Sequence, residues 1–132
     1  MPIILGNPPP ATWVPTLTNI TLGDGSMGAR YLFLAPGAVY YRIFIQFGST
    51  TTVGGTVQVS IPFTPNTTLA QTGHARTFHP SLGIYSGVHG FTSTTINSII
   101  VREGMTDLAT AVPYTSWTSG CTIRLWGVAE LA

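Results

Sequence analysis

Apolar and polar residues alternate with a period of two along much of the chain, which is the pattern of a half-buried β-strand. The alternation is clearest over residues 39–47, whose odd-numbered positions form an apolar face expected in a core: Val39, Tyr41, Ile43, Ile45 and Phe47. The even-numbered positions combine Tyr40 and Phe44 with Arg42 and Gln46. This mixed face predicts a contact with another sheet, a loop or a neighbouring subunit.

Further strand-like segments are separated by clusters of Gly, Pro, Asn, Ser and Thr. Residues 56–61 alternate and stop at Pro62, because proline has no N–H to donate to a sheet. The other predicted strands span residues 17–22, 30–34, 75–78, 83–91, 96–102 and 122–128, with a turn over 48–55 and a single helical turn at Thr106–Ala111. Short strands at this spacing predict one all-β domain over residues 16–132, an antiparallel, jelly-roll-like β-sandwich.

The first fifteen residues differ from the rest of the chain. Three consecutive prolines favour extended polyproline geometry, which predicts an extended N-terminal arm over residues 1–15. An apolar arm needs a surface on which to pack, either its own domain or a neighbouring molecule. The candidate assembly residues of this arm are Ile3, Ile4, Leu5, Pro8, Pro9, Pro10 and Trp13.

Charge is scarce throughout the sequence. Charged residues make up 7% of the chain, all five cations are arginines, and the formal net charge is +1. Average soluble domains are about a quarter charged. Because the arginines are not clustered along the sequence, we expect neither a nucleic-acid footprint nor a polybasic membrane patch. The longest apolar stretch, residues 31–47, is interrupted by Pro36 and Arg42 and predicts no transmembrane helix.

No motif in the sequence predicts catalysis, a cofactor or a metal. Residues 23–28 match G-x-G-x-x-G, but a strand-like segment follows them where a nucleotide-binding fold needs a helix, so Asp24-Gly25 predicts a hairpin turn instead. The three histidines have spacings of five and ten, which match no usual zinc site. The four carboxylates lie in turns or near the C-terminus, and the one cysteine, Cys121, is expected to be a small core residue.

Aromatic residues are the remaining candidates for recognition. Most of them are expected to pack in the core. Tyr114 and Trp117 follow Pro113 in a predicted loop, and Trp126 faces the side opposite to Ile123 and Leu125 in the last strand. Tyr114, Trp117 and Trp126 are therefore the candidate recognition surface, suited to stacking on sugars or to a protein interface.

The first half of the chain resembles a known module. Residues 25–31 (GSMGARY), 39–52 (VYYRIFIQFGSTTT) and 57–62 (VQVSIP), with a lead-in at 13–17 (WVPTL), are similar to a β-rich module of minor tail and tail-fibre proteins in tailed bacteriophages of actinobacteria. The similarity is good over residues 12–64 and loose elsewhere. Residues 34–37 (LAPG) stand where the module usually has a shorter turn.

The resemblance implies a virion surface protein that is made in the host cytoplasm and has no catalytic residues. Because the chain carries the module without a long tail-attaching region, we expect first a non-enzymatic capsid decoration protein. It would assemble as a homotrimer, with its arm on the major capsid protein or on a neighbour. The alternative is a receptor-binding tail-fibre or minor tail protein that recognises host cell-wall glycans.

Overall fold

The computed structural model describes residues 10–101 and 106–132, and these residues form nine β-strands. All the strand pairs are antiparallel, which confirms the expected all-β, antiparallel, sandwich-like fold. The strands are β1 (Ala11–Thr12), β2 (Leu17–Thr21), β3 (Ser26–Ala35), β4 (Ala38–Gln46), β5 (Thr52–Ser60), β6 (Gly73–His79), β7 (Gly83–Thr92), β8 (Thr95–Ile100) and β9 (Thr122–Glu130).

The nine strands belong to one sheet, in the order β1-β3-β4-β9-β6-β7-β8-β5-β2. Laid flat, nine strands about 4.8 Å apart would span roughly 38 Å. The two edge strands, however, are consecutive in the chain and are separated only by residues 13–16. Because an extended residue covers at most about 3.6 Å, this link reaches less than about 20 Å. The sheet must therefore curl until its edges approach each other, and the two halves enclose the core.

The short link between the two edge strands is tied to the strand next to each of them. The backbone N–H of Trp13 donates to the carbonyl of Ala29 in β3, and its indole Nε1 donates to the carbonyl of Ser60 in β5. Residues 11–15, which the sequence assigns to the arm, thus belong to the sheet domain. The candidate assembly residues Ile3, Ile4, Leu5, Pro8 and Pro9 lie outside the described residues, and Pro10 is exposed.

The core lies on the concave side of the curled sheet and follows the alternation seen in the sequence. In β4 every odd-numbered residue from Val39 to Ile45 is buried, and Phe47 continues the series. In β9 the buried positions include Ile123 and Leu125, and Cys121 just before the strand is fully buried as expected. Each buried Val, Leu, Ile or Phe side chain stabilises the fold by about 1.5–3 kcal/mol relative to an exposed one.

A loop residue completes the sheet where two strands separate. Strands β5 and β8 share only two residue pairs. Leu108 fills the adjacent gap: its carbonyl accepts from the N–H of Val57, and its own N–H donates to the carbonyl of Ile99. The helical turn expected at Thr106–Ala111 is therefore wrong, because strands rather than a helix use the backbone groups of Leu108.

The turns agree with the sequence in part. Pro36 and Gly37 form the two-residue turn between β3 and β4, and Gly37 supplies the positive φ of 90° that such a turn needs. Residues 52–55, expected in a turn, instead begin β5. The turn at Asp24 exists, since the N–H of Gly25 donates to the carbonyl of Leu22. The expected hairpin is wrong, because β2 and β3 pair with other strands.

The carboxylate of Asp24 joins two loops at one end of the sheet. It accepts hydrogen bonds from the Ser49 hydroxyl at 2.6 Å and from the N–H and hydroxyl of Thr50 at 2.8 and 2.9 Å. These bonds to Ser49 and Thr50 hold the pKa of Asp24 well below its usual range. Within the segment that matches G-x-G-x-x-G, Asp24 is therefore a loop anchor.

A buried hydrogen bond spans four strands inside the core. The Tyr41 hydroxyl of β4 and Nε2 of His89 of β7 are 2.6 Å apart, and both residues are fully buried. Between them the side chain of Tyr41 passes over Gly127 of β9 and Gly73 of β6. A Cβ on Gly73 would lie 2.3 Å from both the Tyr41 hydroxyl and His89 Nε2, so only glycine leaves room for this bond.

The buried imidazole makes folding sensitive to acid. Burial lowers the pKa of His89 to about 4, and the neighbouring His74 backbone offsets only part of that effect. Between about pH 6.5 and pH 4 the unfolded chain binds a proton that the folded chain does not. We therefore expect the free energy of unfolding to fall as the pH drops through this window, by on the order of 3 kcal/mol in total. Denaturant titrations at pH 7.5 and pH 4.5 measure the change.

Two histidine variants isolate the contribution of the buried ring. His89→Gln should be less stable than the native protein at pH 7.5 and should lose much less stability on acidification. His74→Gln, in which an exposed histidine is removed, should retain the native acid dependence. An equally steep dependence in His89→Gln and the native protein would rule out His89 as its source.

Candidate functional site

The predicted recognition residues do not form one surface. Tyr114 is only 1% exposed: its hydroxyl is 3.0 Å from the Thr77 hydroxyl and donates to the carbonyl of Gly83. Its assignment to an exposed surface is wrong, because these partners draw the loop onto the domain. Trp117 is half-buried, stacks on Phe47 at 5.0 Å and donates from Nε1 to the carbonyl of Ala109. Both residues are therefore engaged in packing.

Trp126 lies elsewhere, on the convex face of the sheet. It points to the side opposite to Ile123 and Leu125, as predicted, and is half-buried. Its ring stacks against His74 of β6 at 5.4 Å, with an interplanar angle of 20°. This pair lies at the centre of a surface that the sequence indicated only in part, through Trp126 and the even-numbered face of β4.

Four arginines share this convex face, one from each of four adjacent strands. We call the set Arg30 of β3, Arg42 of β4, Arg124 of β9 and Arg76 of β6 the arginine band. Arg30 lies directly opposite Arg42 in the sheet, and Arg76 lies directly opposite Arg124. Directly opposed residues have Cβ atoms about 5 Å apart. Four of the five arginines of the chain therefore meet on one surface.

The clustering corrects an expectation from the sequence. The four arginines are far apart along the chain, but the fold brings them together on one face of the sheet. The last strand produces the cluster, because β9 is inserted between β4 and β6 and carries Arg124 and Trp126 into the middle of the face. The order of the strands in the sheet, rather than a local sequence motif, creates the arginine band.

The guanidinium groups of the band are free to bind a ligand. All four side chains are exposed, and none forms a hydrogen bond or ion pair with any residue in the ranges 10–101 and 106–132. Arg124 lies over the ring of Phe44, with its Cζ 5.1 Å from the ring centroid. Such cation–π contacts orient an arginine while leaving its N–H donors available.

The band and its aromatic neighbours border a shallow depression of about 590 Å³. Its rim includes Tyr40 and Phe44 of β4 and Trp126 of β9, all half-buried. The even-numbered face of β4, which the sequence predicted to contact another surface, is thus part of this depression. Arginine, tryptophan and tyrosine are the residues most enriched at the energetic centres of binding surfaces.

The buried histidines are held by hydrogen bonds within the fold. Two histidines are buried: His89 bonds to Tyr41, and Nδ1 of His79 accepts from the N–H groups of Ser81 and Leu82. Across the described residues, no three His, Cys, Asp or Glu groups lie close enough together to hold a metal ion. The described part of the chain also contains no helix that is long and apolar enough to cross a membrane.

Comparisons of the chain with protein-family models, with curated proteins and with solved structures find no match.

Relief of like-charge repulsion should be measurable within the band. Like charges directly opposite each other in a sheet are destabilising. Arg42→Glu places a carboxylate opposite Arg30, so we expect the free energy of unfolding at low salt to rise by a few tenths of a kcal/mol. The gain should shrink in about 1 M salt, where the screening length is near 3 Å. Denaturant titrations at both salt concentrations measure it.

Arg42→Gln serves as the matched control, since it removes the repulsion without adding an attraction and should give a smaller increase. If both variants instead unfold more easily than the native protein at low salt, the arginines stabilise the fold and the interpretation of the band as a binding surface fails.

Proposed function

We propose that this protein is a non-enzymatic surface protein of a tailed-phage virion that recognises glycans on the host cell through its convex sheet face. The observation that carries the proposal is the arginine band, with its aromatic rim and without ionic partners among the described residues. The phage context comes from the sequence resemblance of residues 12–64. It implies a protein made in the host cytoplasm and assembled onto the virion surface.

The convex face supports recognition more directly than the fold alone does. The concave side supplies the core, so the side chains on the convex side are not needed to bury it. The four arginines have no hydrogen-bond or ionic partner among the described residues, and four hydrogen-bonded strands hold their backbones at fixed spacing. Binding groups that are positioned in advance lose less entropy when a ligand arrives. A rigid, cationic and aromatic surface is therefore suited to binding an external partner.

A second role, as a trimeric capsid decoration protein, is favoured by apolar side chains that adjoin the arginine band on the convex face. Phe78, Leu82 and Ile84 form an exposed apolar patch around the β6–β7 hairpin, each with 38–50% of its surface accessible. Phe78 and Ile84 are directly opposed in the sheet. Contiguous apolar patches of this kind mark protein contacts, and this one would serve a contact between copies or with a capsid protein.

Counting and locating the protein on virions tests which role it has. For host recognition, immunogold labelling of intact particles should place a small number of copies at the tail, and the purified protein should bind actinobacterial cells and block phage adsorption. Hundreds of copies on the head, with no effect on adsorption, would contradict host recognition and favour decoration. Absence from virions would contradict both roles.

A further inference from the structure

The arginine band forms a staggered line across the sheet. The strands β3, β4, β9 and β6 are adjacent, so the band spans about 15 Å perpendicular to the strands. Arg30 and Arg42 occupy one row of cross-strand partners, and Arg124 and Arg76 occupy the next row. Arg42 lies opposite Trp126, and Trp126 is two residues along β9 from Arg124. The two rows of arginines are therefore offset by two residues along the strands. Such a line matches an extended ligand better than a single small anion.

Within residues 10–101 and 106–132 no side chain supplies the countercharge. No carboxylate of these residues pairs with the arginines, and the two opposed pairs repel each other. Asp24 and Glu130 of a second copy offer little compensation. Asp24 already accepts three hydrogen bonds, and Glu130 Oε1 accepts from the amide of Asn66. Two bands brought together would only add like charges, so the occupant must carry several negative charges of its own.

The aromatic residues limit the choice of ligand. Single-stranded nucleic acids are bound mainly by stacking of bases on open aromatic faces. Here the Phe44 ring is covered by Arg124 and the Trp126 ring is stacked with His74, and both rings are half-buried. The Phe44 ring orients a guanidinium and the Trp126 ring is occupied by His74, so neither ring offers an open stack. Recognition therefore depends on charge and on the many N–H donors of arginine, which suit carboxylate, sulfate and phosphate groups on a hydroxyl-rich polymer.

We propose that the arginine band binds an anionic polysaccharide whose chain crosses strands β3, β4, β9 and β6. The inference rests on the proposed function, because it assigns the chemical class of the glycan that the convex face recognises. The negative groups accept hydrogen bonds from the four guanidiniums, and the sugar rings lie against Tyr40 and the edges of Phe44 and Trp126. Neutral glycans lack the groups that the band binds.

Binding of defined polymers to the purified full chain tests this inference. The probes are heparin as a sulfated polysaccharide, polygalacturonate as a carboxylated one, neutral dextran, polyglutamate as an acidic polypeptide and an oligothymidylate as a single-stranded nucleic acid. Calorimetry at 50 mM salt should detect at least one anionic polysaccharide, bound tenfold or more tightly than polyglutamate or oligothymidylate. Dextran should not bind. The affinity should fall about tenfold or more at 200 mM salt, because bound counterions are released when a polyanion binds.

Variants locate the binding on the sheet. Arg42→Gln/Arg124→Gln removes the centre of the band and should weaken polysaccharide binding at least tenfold. Arg42→Lys/Arg124→Lys keeps the charge and loses the planar donor geometry, so it should retain intermediate affinity. Thr18→Ala, on the exposed side of β2, is the matched control and should bind like the native protein. Circular dichroism confirms that each variant is folded.

Several results would overturn the inference. They are no binding of either anionic polysaccharide at low salt, binding of polyglutamate or oligothymidylate as tight as that of the polysaccharides, or full affinity in the folded double glutamine variant. The proposed function fails separately. A protein that binds host cells but no anionic polysaccharide retains the function and loses the inference. A protein that binds the polysaccharide but not host cells retains the inference and loses the proposed function.

Discussion

The hydrogen bond between Tyr41 and His89 is the interaction on which the arrangement of this protein depends. It crosses four strands inside the core, over two glycines that leave room for it. Tyr41, Gly127, Gly73 and His89 form a row on the inner face of the sheet. Their sequence neighbours form a row on the outer face: Arg42 follows Tyr41, Trp126 precedes Gly127, His74 follows Gly73 and Val88 precedes His89. A one-residue slip of any of these four strands would break the bond and exchange the two faces of that strand. The polar contact inside the core thus fixes the register of the convex face that carries the arginine band.

This link between the inner and outer faces explains how one sheet both buries a core and carries the arginine band. The concave side buries Val, Ile, Leu and Tyr side chains and stabilises the fold, while the convex side carries opposed arginines that work against it. A cost of a few tenths of a kcal/mol per like-charge pair is small beside the burial of even one large apolar side chain. The fold therefore tolerates the arginine band. The same core places an imidazole where burial lowers its pKa to about 4, so we expect the structure that positions the arginine band to lose stability in acid.

The sequence predicted the local features better than the long-range ones. Alternation over residues 39–47 identified β4 and its buried face, and Pro36-Gly37 marked a real turn, because both depend on neighbouring residues. The helical turn at Thr106–Ala111 was wrong, since Leu108 instead bonds to two distant strands. Tyr114 was assigned to the surface because it follows Pro113 in a predicted loop, yet its hydroxyl lies 3.0 Å from the buried Thr77 hydroxyl. The arginine band could not be predicted, because it depends on β9 lying between β4 and β6.

A direct test of the account is an NMR titration of the isotope-labelled protein with a short heparin oligosaccharide, following the Nε–H signals of the arginines and the indole signals of Trp117 and Trp126. The account predicts that the Nε–H signals of Arg30, Arg42, Arg76 and Arg124 shift together with that of Trp126, while that of Trp117 stays fixed. Shifts centred on Trp117 and the loop at Tyr114, with the signals of the four arginines unchanged, would contradict it.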